Sequence, residues 1–306
     1  MNRNLIILAV ILIFGIGAFI LWQRQSFPVS NQQIGISQNI NTERDQLLEN
    51  DSDKDRSFIE GLRKREFNGG EIKIEEVLPK ESNFTPYIIS YTSDNLKIYA
   101  AMNIPEGIGP FPVILLNHGY YDTQTFQTGD GTNGMATILA NNGYITLASD
   151  YRGHGKSEGQ GGGHQPEYAI DVLNLLASVK NIEKGDANRV GMWGHSMGGE
   201  TSLRTVEATD AIKALVLWAP TLGGGHSSDN SLMSNLTKIK TPISLHQGLS
   251  DTEVDPETSI ILSDALKKEG KQLEYFEYEG QDHNFRNLGW DLISERTLDF
   301  YNKHLK

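Results

Sequence analysis

One serine of the chain lies between glycines directly after an apolar run. The stretch WGHSMGGE, residues 193–200, matches the pattern G-x-S-x-G at Gly194, Ser196 and Gly198. Glycine on either side removes the Cβ atoms that would collide where a helix folds back on a strand, so the turn can be sharp enough to project the serine side chain. The pattern predicts a nucleophile at Ser196. An incidental serine in a glycine turn is the alternative.

A serine hydroxyl becomes a strong nucleophile only when a neighbouring base takes its proton. His283, in YEGQDHNF, follows the final apolar run and is the candidate base among eight histidines. His164 and His226 lie in glycine-rich segments and remain rivals, whereas His195 is expected to point inward beside the serine.

The imidazole in turn needs a carboxylate that fixes its tautomer and stabilises its charged form. Asp251, in HQGLSDTEVDP, is the first choice. Glu253 and Asp255 are close competitors. Asp282 adjoins the histidine itself and fits less well, because neighbouring side chains in a loop commonly diverge.

The oxyanion that develops during acyl transfer needs hydrogen-bond donors. The backbone N–H of Met197, at the start of the helix after the serine, is one candidate, and the backbone N–H of Tyr120, after VILLNHG, is the other. Tyr121 is a candidate substrate contact through its hydroxyl or ring, and simple loop packing is an equal alternative.

These candidates require a scaffold that brings them together. Short apolar runs alternate with helix-length segments along the chain: FPVILLN, YITLASD, RVGMWGH, IKALVLWAP, TPISLHQG and QLEYFEYEG. Such alternation predicts an α/β domain over residues 67–306, with a mostly parallel, doubly wound sheet of about eight strands and helices on both faces. The runs EIKIEEVL, TPYIISYTS and LKIYAAMNIP predict antiparallel strands at one edge.

Ligands of such sheets bind beyond the carboxyl ends of the strands. Polar, aromatic or glycine-rich segments follow the predicted strands as NHGYYD, DYRGHGKSEG, GHSMGG, APTLGGGH, GLSDTEVD and GQDHNF. We therefore expect all six segments to lie at the same edge.

The amino-acid composition excludes several kinds of partner, nucleophile and metal site. The 306 residues include 27 Lys and Arg against 39 Asp and Glu, a net charge of -12, which argues against nucleic acid as a partner. The chain has no cysteine, so disulfides, a thiol nucleophile and thiolate metal sites are excluded. Because the histidines show no ligand spacing either, we expect neither a metal nor an organic cofactor.

The N-terminal segment differs from the rest. Residues 5–22 are 18 uninterrupted apolar residues, which predicts a single-pass transmembrane signal anchor within residues 1–22 and a catalytic domain outside the cytoplasm. A cleaved signal peptide is the alternative, because GIG at residues 15–17 is a small-x-small pattern. Residues 23–66 are polar and predict a largely disordered stalk, with a short helix near RSFIEGLRKREF.

Together, NHGYYD, DYRGHGKSEG, GHSMGG, and GLSDTEVD with GQDHNF resemble the α/β-hydrolase superfamily. They are most similar to the stand-alone catalytic domains of the prolyl oligopeptidase (S9) family and to related bacterial esterases. The resemblance covers residues 84–306 and implies a triad in the chain order of that fold. It places the nucleophile, acid, base and oxyanion donors at Ser196, Asp251, His283, and Met197 with Tyr120.

Two differences from known α/β-hydrolases bear on the expected substrate. We expect no β-propeller before the domain, and therefore no size filter like that of true prolyl oligopeptidases. Residues 221–241 are too few for the large helical lid of many lipases, which argues against long-chain triglycerides. Small esters or short peptides remain as expected substrates. The alternatives are an acyltransferase or thioesterase with the same triad, and a catalytically inactive, membrane-tethered binding protein.

Overall fold

The computed structural model describes residues 56–223, 232–286 and 288–306, which belong to one compact unit. The predicted anchor, most of the predicted stalk and His226 lie outside the described residues. Within the described ranges, no helix combines the length and the apolar character needed to cross a bilayer.

The centre of the domain is a nine-stranded sheet with the order β1-β2-β3-β5-β4-β6-β7-β8-β9. The first three strands and the β3–β5 pair are antiparallel, and the remaining pairs are parallel. This arrangement confirms the largely parallel sheet with an antiparallel edge. The strands are β1 Lys73–Val77, β2 Phe84–Ser93, β3 Leu96–Pro105, β4 Phe111–Asn117, β5 Ile145–Ser149, β6 Gly185–His195, β7 Ile212–Trp218, β8 Ile243–Gly248 and β9 Leu273–Tyr278.

Helices cover both faces of the sheet, as the apolar character of its central strands requires. They are α1 (residues 56–64), α2 Asn133–Asn141, α3 Tyr168–Ser178, α4 Met197–Ala208, α5 Glu257–Lys268 and α6 Leu288–Leu305. Short 3-10 helices span Val179–Asn181 and Leu232–Lys238.

Alternating side chains of one strand belong to two separate cores. In β4, Val113 and Leu115 pack in a cluster with side chains of α3, α4 and α5, whereas Ile114 and Leu116 pack with side chains of α2 and α6. The period of two along a strand sends successive side chains to opposite faces, so each apolar run is buried from both sides. The sheet is therefore a rigid platform for the loops at its carboxyl edge.

Helix α1 lies within the segment that the sequence assigns to the stalk, where a short helix was expected. Its Ile59 and Leu62 are buried in a third apolar cluster with Leu173 of α3 and Ala208 of α4. Arg63 also donates a hydrogen bond of 2.7 Å to the backbone oxygen of Glu207. The folded unit thus extends upstream of residue 67.

Candidate active site

The serine of the G-x-S-x-G pattern occupies a strained turn between β6 and α4. Ser196 has φ 56° and ψ -124°, a conformation that residues other than glycine rarely adopt. Its N–H donates to the backbone oxygen of Trp218 at 3.0 Å, and its own carbonyl accepts from the N–H of Gly199 at 2.9 Å. Surrounding backbone hydrogen bonds therefore hold the strained residue in place.

The neighbouring glycines are required because backbone approaches them closely. A Cβ atom at Gly198 would overlap the backbone oxygen of Asn117 at the end of β4, and one at Gly194 would overlap the hydroxyl of Ser202. The turn can fold against β4 and α4 only without those atoms. This contact explains in physical terms the glycine pattern seen in the sequence.

Strained backbone recurs along the same edge of the sheet. Tyr151, Ala219 and Phe285 have φ values of 58°, 41° and 51° and lie beyond the carboxyl ends of β5, β7 and β9. Backbone strain of this kind costs about 1–3 kcal/mol for each residue and is concentrated at functional sites in proteins. The carboxyl edge of the sheet therefore has the character of a functional site.

A histidine and a carboxylate meet at this edge. His283 Nδ1 donates to Asp251 Oδ2 at 2.7 Å, and both residues are buried. Because the carboxylate accepts, the hydrogen of the neutral ring lies on Nδ1, and Nε2 is left with a lone pair for a proton. Asp251 also accepts hydrogen bonds from Gln247 Nε2 at 3.1 Å and from the N–H groups of Glu253 and Val254 at 2.9 Å.

These contacts determine the charge of Asp251. Burial alone raises the pKa of this carboxyl, but the hydrogen bonds from His283 and from the backbone amides outweigh burial and bring the pKa below its ordinary value. Asp251 is thus a carboxylate at neutral pH. It can hold the imidazole of His283 in one orientation and stabilise its protonated form.

The competing carboxylates have other partners or positions. Asp255 Oδ1 accepts from the N–H of Glu257 at 3.0 Å, at the start of α5. Asp282 Oδ1 accepts from the N–H of Asn284 at 3.1 Å, within the turn that carries the histidine. Glu253 is exposed and lines the cavity described below.

The rival histidine His164 is engaged elsewhere. Its Nδ1 lies 2.5 Å from Glu200 Oε2, and the hydrogen bond to Glu200 raises its pKa above the ordinary value. It is therefore tied to a carboxylate on α4, away from the pairing between Asp251 and His283.

Ser196 and His283 line the same cavity, which has a volume of about 330 Å³. Gly119 allows the loop after β4 to approach the serine, since a Cβ atom there would lie 3.2 Å from Ser196 Cβ. The cavity is lined by Gly119, Tyr120, Tyr121, Gly131, Trp193, His195, Ser196, Trp218, Glu253, His283, Asn284 and Trp290.

The predicted oxyanion residues border this cavity or adjoin its serine. Met197 is the first residue of α4, where unpaired N–H groups and the helix dipole favour negative charge. Tyr120 lies in the cavity wall, and the residue is 63% exposed. The ring of Tyr121 also lines the cavity and packs edge-on against His118 and Phe126, with centroid distances of 5.9 and 5.6 Å.

His195 is a site residue to which the sequence assigned no role. Its Nε2 donates to the backbone oxygen of His283 at 2.9 Å, and the two rings lie 4.6 Å apart between centroids. Burial, together with the nearby charge of His283, lowers the pKa of His195 to about 4, so its ring is a neutral donor. Its position next to Ser196, at the end of β6, is the sequence signal that could have revealed it.

The aromatic walls were also missed from sequence. Trp193 and Trp218 belong to β6 and β7, whose apolar runs gave no sign of a ligand site, and Trp290 comes from α6. The Nε1 atom of Trp193 is buried without a hydrogen-bond partner in the described part of the chain. Among the described residues, no group of three or more histidine, aspartate or glutamate side chains could hold a metal ion.

Comparison with known proteins gives matches to two families of hydrolases. The family model described as serine aminopeptidase, S33, matches residues 110–234, and the model of the prolyl oligopeptidase family matches residues 225–306. The quorum-quenching protein AidA of Acinetobacter baumannii is 28% identical over 162 residues, which cover 51% of this chain and 50% of AidA. The matched part thus spans about half the length of that relative.

Two solved structures share the fold. Acetyl xylan esterase 1 from Thermoanaerobacterium is 18% identical with a TM-score of 0.61, and the match covers 83% of this chain and 92% of the esterase. A puromycin-hydrolyzing peptidase from Mycobacterium tuberculosis is 19% identical with a TM-score of 0.60, over 74% of this chain and 40% of the peptidase. The two family matches and the shared fold together support an α/β-hydrolase similar to S9-like esterases and peptidases.

Proposed function

We propose that the protein is a serine hydrolase that cleaves small esters or short peptides through a covalent acyl intermediate on Ser196. The observation that carries the proposal is the buried hydrogen bond between His283 and Asp251 at the wall of the cavity that also contains Ser196. This combination provides a nucleophile, a base and an orienting carboxylate.

In the first half of the reaction, His283 Nε2 takes the hydroxyl proton of Ser196 as the oxygen attacks the substrate carbonyl. The imidazolium that forms is stabilised by the carboxylate of Asp251. When the tetrahedral intermediate collapses, Nε2 gives the proton to the leaving alcohol or amine, and the acyl group stays on Ser196. General base assistance of this kind contributes about 10²–10⁴-fold to the rate.

In the second half, His283 Nε2 takes a proton from the water that attacks the acyl carbonyl. When this second tetrahedral intermediate collapses, the bond between the acyl carbon and Ser196 Oγ breaks, Nε2 returns the proton to Oγ, and the carboxylic acid product leaves. The negative oxygen of both tetrahedral intermediates would be bound by the backbone N–H groups of Met197 and Tyr120. The position of Met197 as the first residue of α4 supports this role, because the N–H groups at a helix start are unpaired and the helix dipole favours negative charge there. One such donor contributes about 10²–10³-fold.

The size of the cavity supports a small substrate. A volume of about 330 Å³ lies at the lower end of the roughly 300–1,000 Å³ typical of small-molecule sites. Tyr121, which lines the cavity, would contact the bound substrate. An acetyl xylan esterase and a puromycin-hydrolyzing peptidase among the structural neighbours support an acyl transfer to water without choosing between ester and peptide.

We also propose that residues 5–22 anchor the protein in a membrane, with the catalytic domain outside the cytoplasm. The uninterrupted apolar run in the sequence supports the anchor. Mass spectrometry of the N-terminus of the membrane-extracted protein tests it. Retention of residues 1–22 is expected, whereas a cleaved terminus near Ala18 would replace the anchor with a signal peptide.

The nucleophile and base are tested by labelling with a fluorophosphonate probe, which reacts with activated serines. We expect the wild-type protein to be labelled and the Ser196→Ala and His283→Ala variants to remain unlabelled. Ser250→Ala and His164→Ala are matched controls that should keep their label, because Ser250 is an exposed serine of the loop after β8 and His164 is bonded to Glu200. Equal labelling of all five proteins would refute the assignment.

A further inference from the structure

We infer that the cavity selects substrates that carry an ammonium group close to the scissile ester or amide, because its walls are aromatic and, among the described residues, contain one carboxylate, the exposed and unpaired Glu253. The inference rests on the proposed function and names a substrate class for the same site. It concerns the chemistry of the cavity beyond the reacting atoms.

The walls of the cavity are aromatic. Five of its lining residues are tryptophan or tyrosine: Tyr120, Tyr121, Trp193, Trp218 and Trp290. The three tryptophans form a continuous group, with edge-on contacts of 5.2 Å between Trp193 and Trp218 and of 5.4 Å between Trp218 and Trp290. Tryptophan and tyrosine faces attract cations through their quadrupoles, and alkylammonium groups are the ligands that such surfaces bind.

The charged groups at the cavity have one sign. No lysine or arginine lines it among the residues that the structure describes, and Glu253 is its sole carboxylate on the same basis. The His195 ring is neutral because its pKa is lowered to about 4. Arg286, a cation close in sequence to His283, pairs with Asp282 at 3.5 Å. An anionic substrate would therefore find no counter-ion at these walls, whereas a cation would find one.

The carboxylate of Glu253 is free for such a ligand. Its backbone N–H supports Asp251, but across the described ranges its side chain has no hydrogen bond or ion pair. The neighbouring acids differ, since Asp251 is occupied by His283 and Asp255 by the start of α5. Glu253 thus combines a fixed backbone with an uncommitted negative charge at the opening of the cavity.

The test compares substrates of equal shape and different charge. One pair carries the charge in the leaving group: acetylthiocholine and its neutral isostere S-(3,3-dimethylbutyl) thioacetate. The other carries it in the acyl group: the p-nitrophenyl esters of betaine and of 3,3-dimethylbutyrate. Thiol release can be followed with a thiol reagent, because the chain has no cysteine to react. The kcat/KM of each cationic substrate is divided by that of its neutral partner.

The Glu253→Gln variant removes the charge in the full-length protein. The cationic-to-neutral ratio should fall about two- to fivefold for at least one pair, the size expected of an exposed charge interaction. Dividing the wild-type ratio by the variant ratio cancels the intrinsic reactivity of each ester. Glu253→Asp should keep most of the preference, and Glu257→Gln, an exposed carboxylate on α5, is the matched control that should leave the ratio unchanged.

The outcomes separate the two proposals. If Glu253→Gln lowers the cationic-to-neutral ratio for the thiocholine pair alone, the ammonium group binds on the leaving-group side. If it lowers the ratio for the betaine pair alone, the ammonium group binds on the acyl side. Equal ratios in wild type and Glu253→Gln for both pairs would overturn the inference while leaving the hydrolase assignment intact. Failure of the wild-type protein to cleave any of the four substrates, together with no fluorophosphonate label, would instead refute the proposed function.

A second measurement needs no variant. Salt screens exposed charges, so the preference of the wild-type protein for the cationic substrate should weaken as ionic strength rises. A preference that is independent of salt would contradict a role for the Glu253 charge, even if the substitution itself disturbed the fold.

Discussion

A buried carboxyl beside the active-site loop makes the stability of the domain depend on pH. Asp150 follows β5 and is fully buried, and its Oδ2 accepts a hydrogen bond of 2.5 Å from Thr128. Its Oδ1 has no hydrogen-bond partner within the described ranges. Burial, opposed by Thr128 and reinforced by the charge of Asp130, raises the pKa of Asp150 to about 7.

The sign follows from proton binding. In the unfolded chain Asp150 loses its proton near its ordinary pKa of 3.8, whereas in the folded protein it keeps the proton to about pH 7. The folded state therefore binds more protons between these values, and stability falls as pH rises through that window. A difference of about three pKa units corresponds to a loss of at most about 4 kcal/mol in the free energy of unfolding. This loss is complete above pH 7.

Asp150→Asn removes this dependence, because an amide resembles the protonated acid at every pH and can still accept from Thr128. We expect the free energy of unfolding of the variant, relative to wild type, to rise by up to about 4 kcal/mol between pH 4 and pH 8. Urea denaturation followed by tryptophan fluorescence measures both proteins. Asp130→Asn should move the wild-type transition to lower pH, since it removes a charge that favours protonation. A stability difference that does not change with pH would refute the reasoning.

Two further predictions concern the turn and the triad. Asp251→Asn should lower kcat for p-nitrophenyl acetate by about 10³–10⁴-fold, because the amide favours the wrong tautomer of the base; Asp282→Asn should change it little, and equal losses would contradict the assignment. Gly198→Ala should destabilise the protein by about 3 kcal/mol or more in thermal unfolding, because its Cβ would overlap Asn117. Gly61→Ala, at an exposed helical site with open space, should stabilise the protein by about 0.5–1 kcal/mol. Similar effects of the two substitutions on stability would show that the close approach of Asn117 to Gly198 does not determine the cost of a side chain there.

The order of elements could be predicted from sequence, but their arrangement in space could not. The runs LKIYAAMNIP and FPVILLN correspond residue for residue to β3 and β4, because alternation and continuous apolar character are local signals. The insertion of β5 between β3 and β4 has no such signal, since it depends on which distant surfaces bury one another. The packing of α1 through Ile59 was missed for the same reason.

The site divides in a similar way. The sharp turn at Ser196 could be predicted, because the sequence has glycine where the backbone approaches closely. The hydrogen bond of His283 to Asp251 rather than to Glu253 or Asp255 could not be derived from spacing, because it depends on which side chain the loop after β8 turns towards the histidine. The contribution of Trp290 required the position of α6 at the cavity, which no local pattern encodes.

The loop that carries His283, the proposed base, is held from two strands, and this explains how a side chain on a connecting loop can be placed accurately. From β6, the Nε2 of His195 donates to the backbone oxygen of His283. From the end of β8, the N–H of Ser250 donates to the backbone oxygen of Gln281 at 2.9 Å, and Gly248 allows that backbone to pack closely where a Cβ atom would clash. Since Ser196 continues β6 and Asp251 follows β8, the strands that position the proposed nucleophile and acid also position the proposed base. A shift of either strand end would therefore move the base together with one of its partners, which preserves the hydrogen-bond geometry that acyl transfer requires.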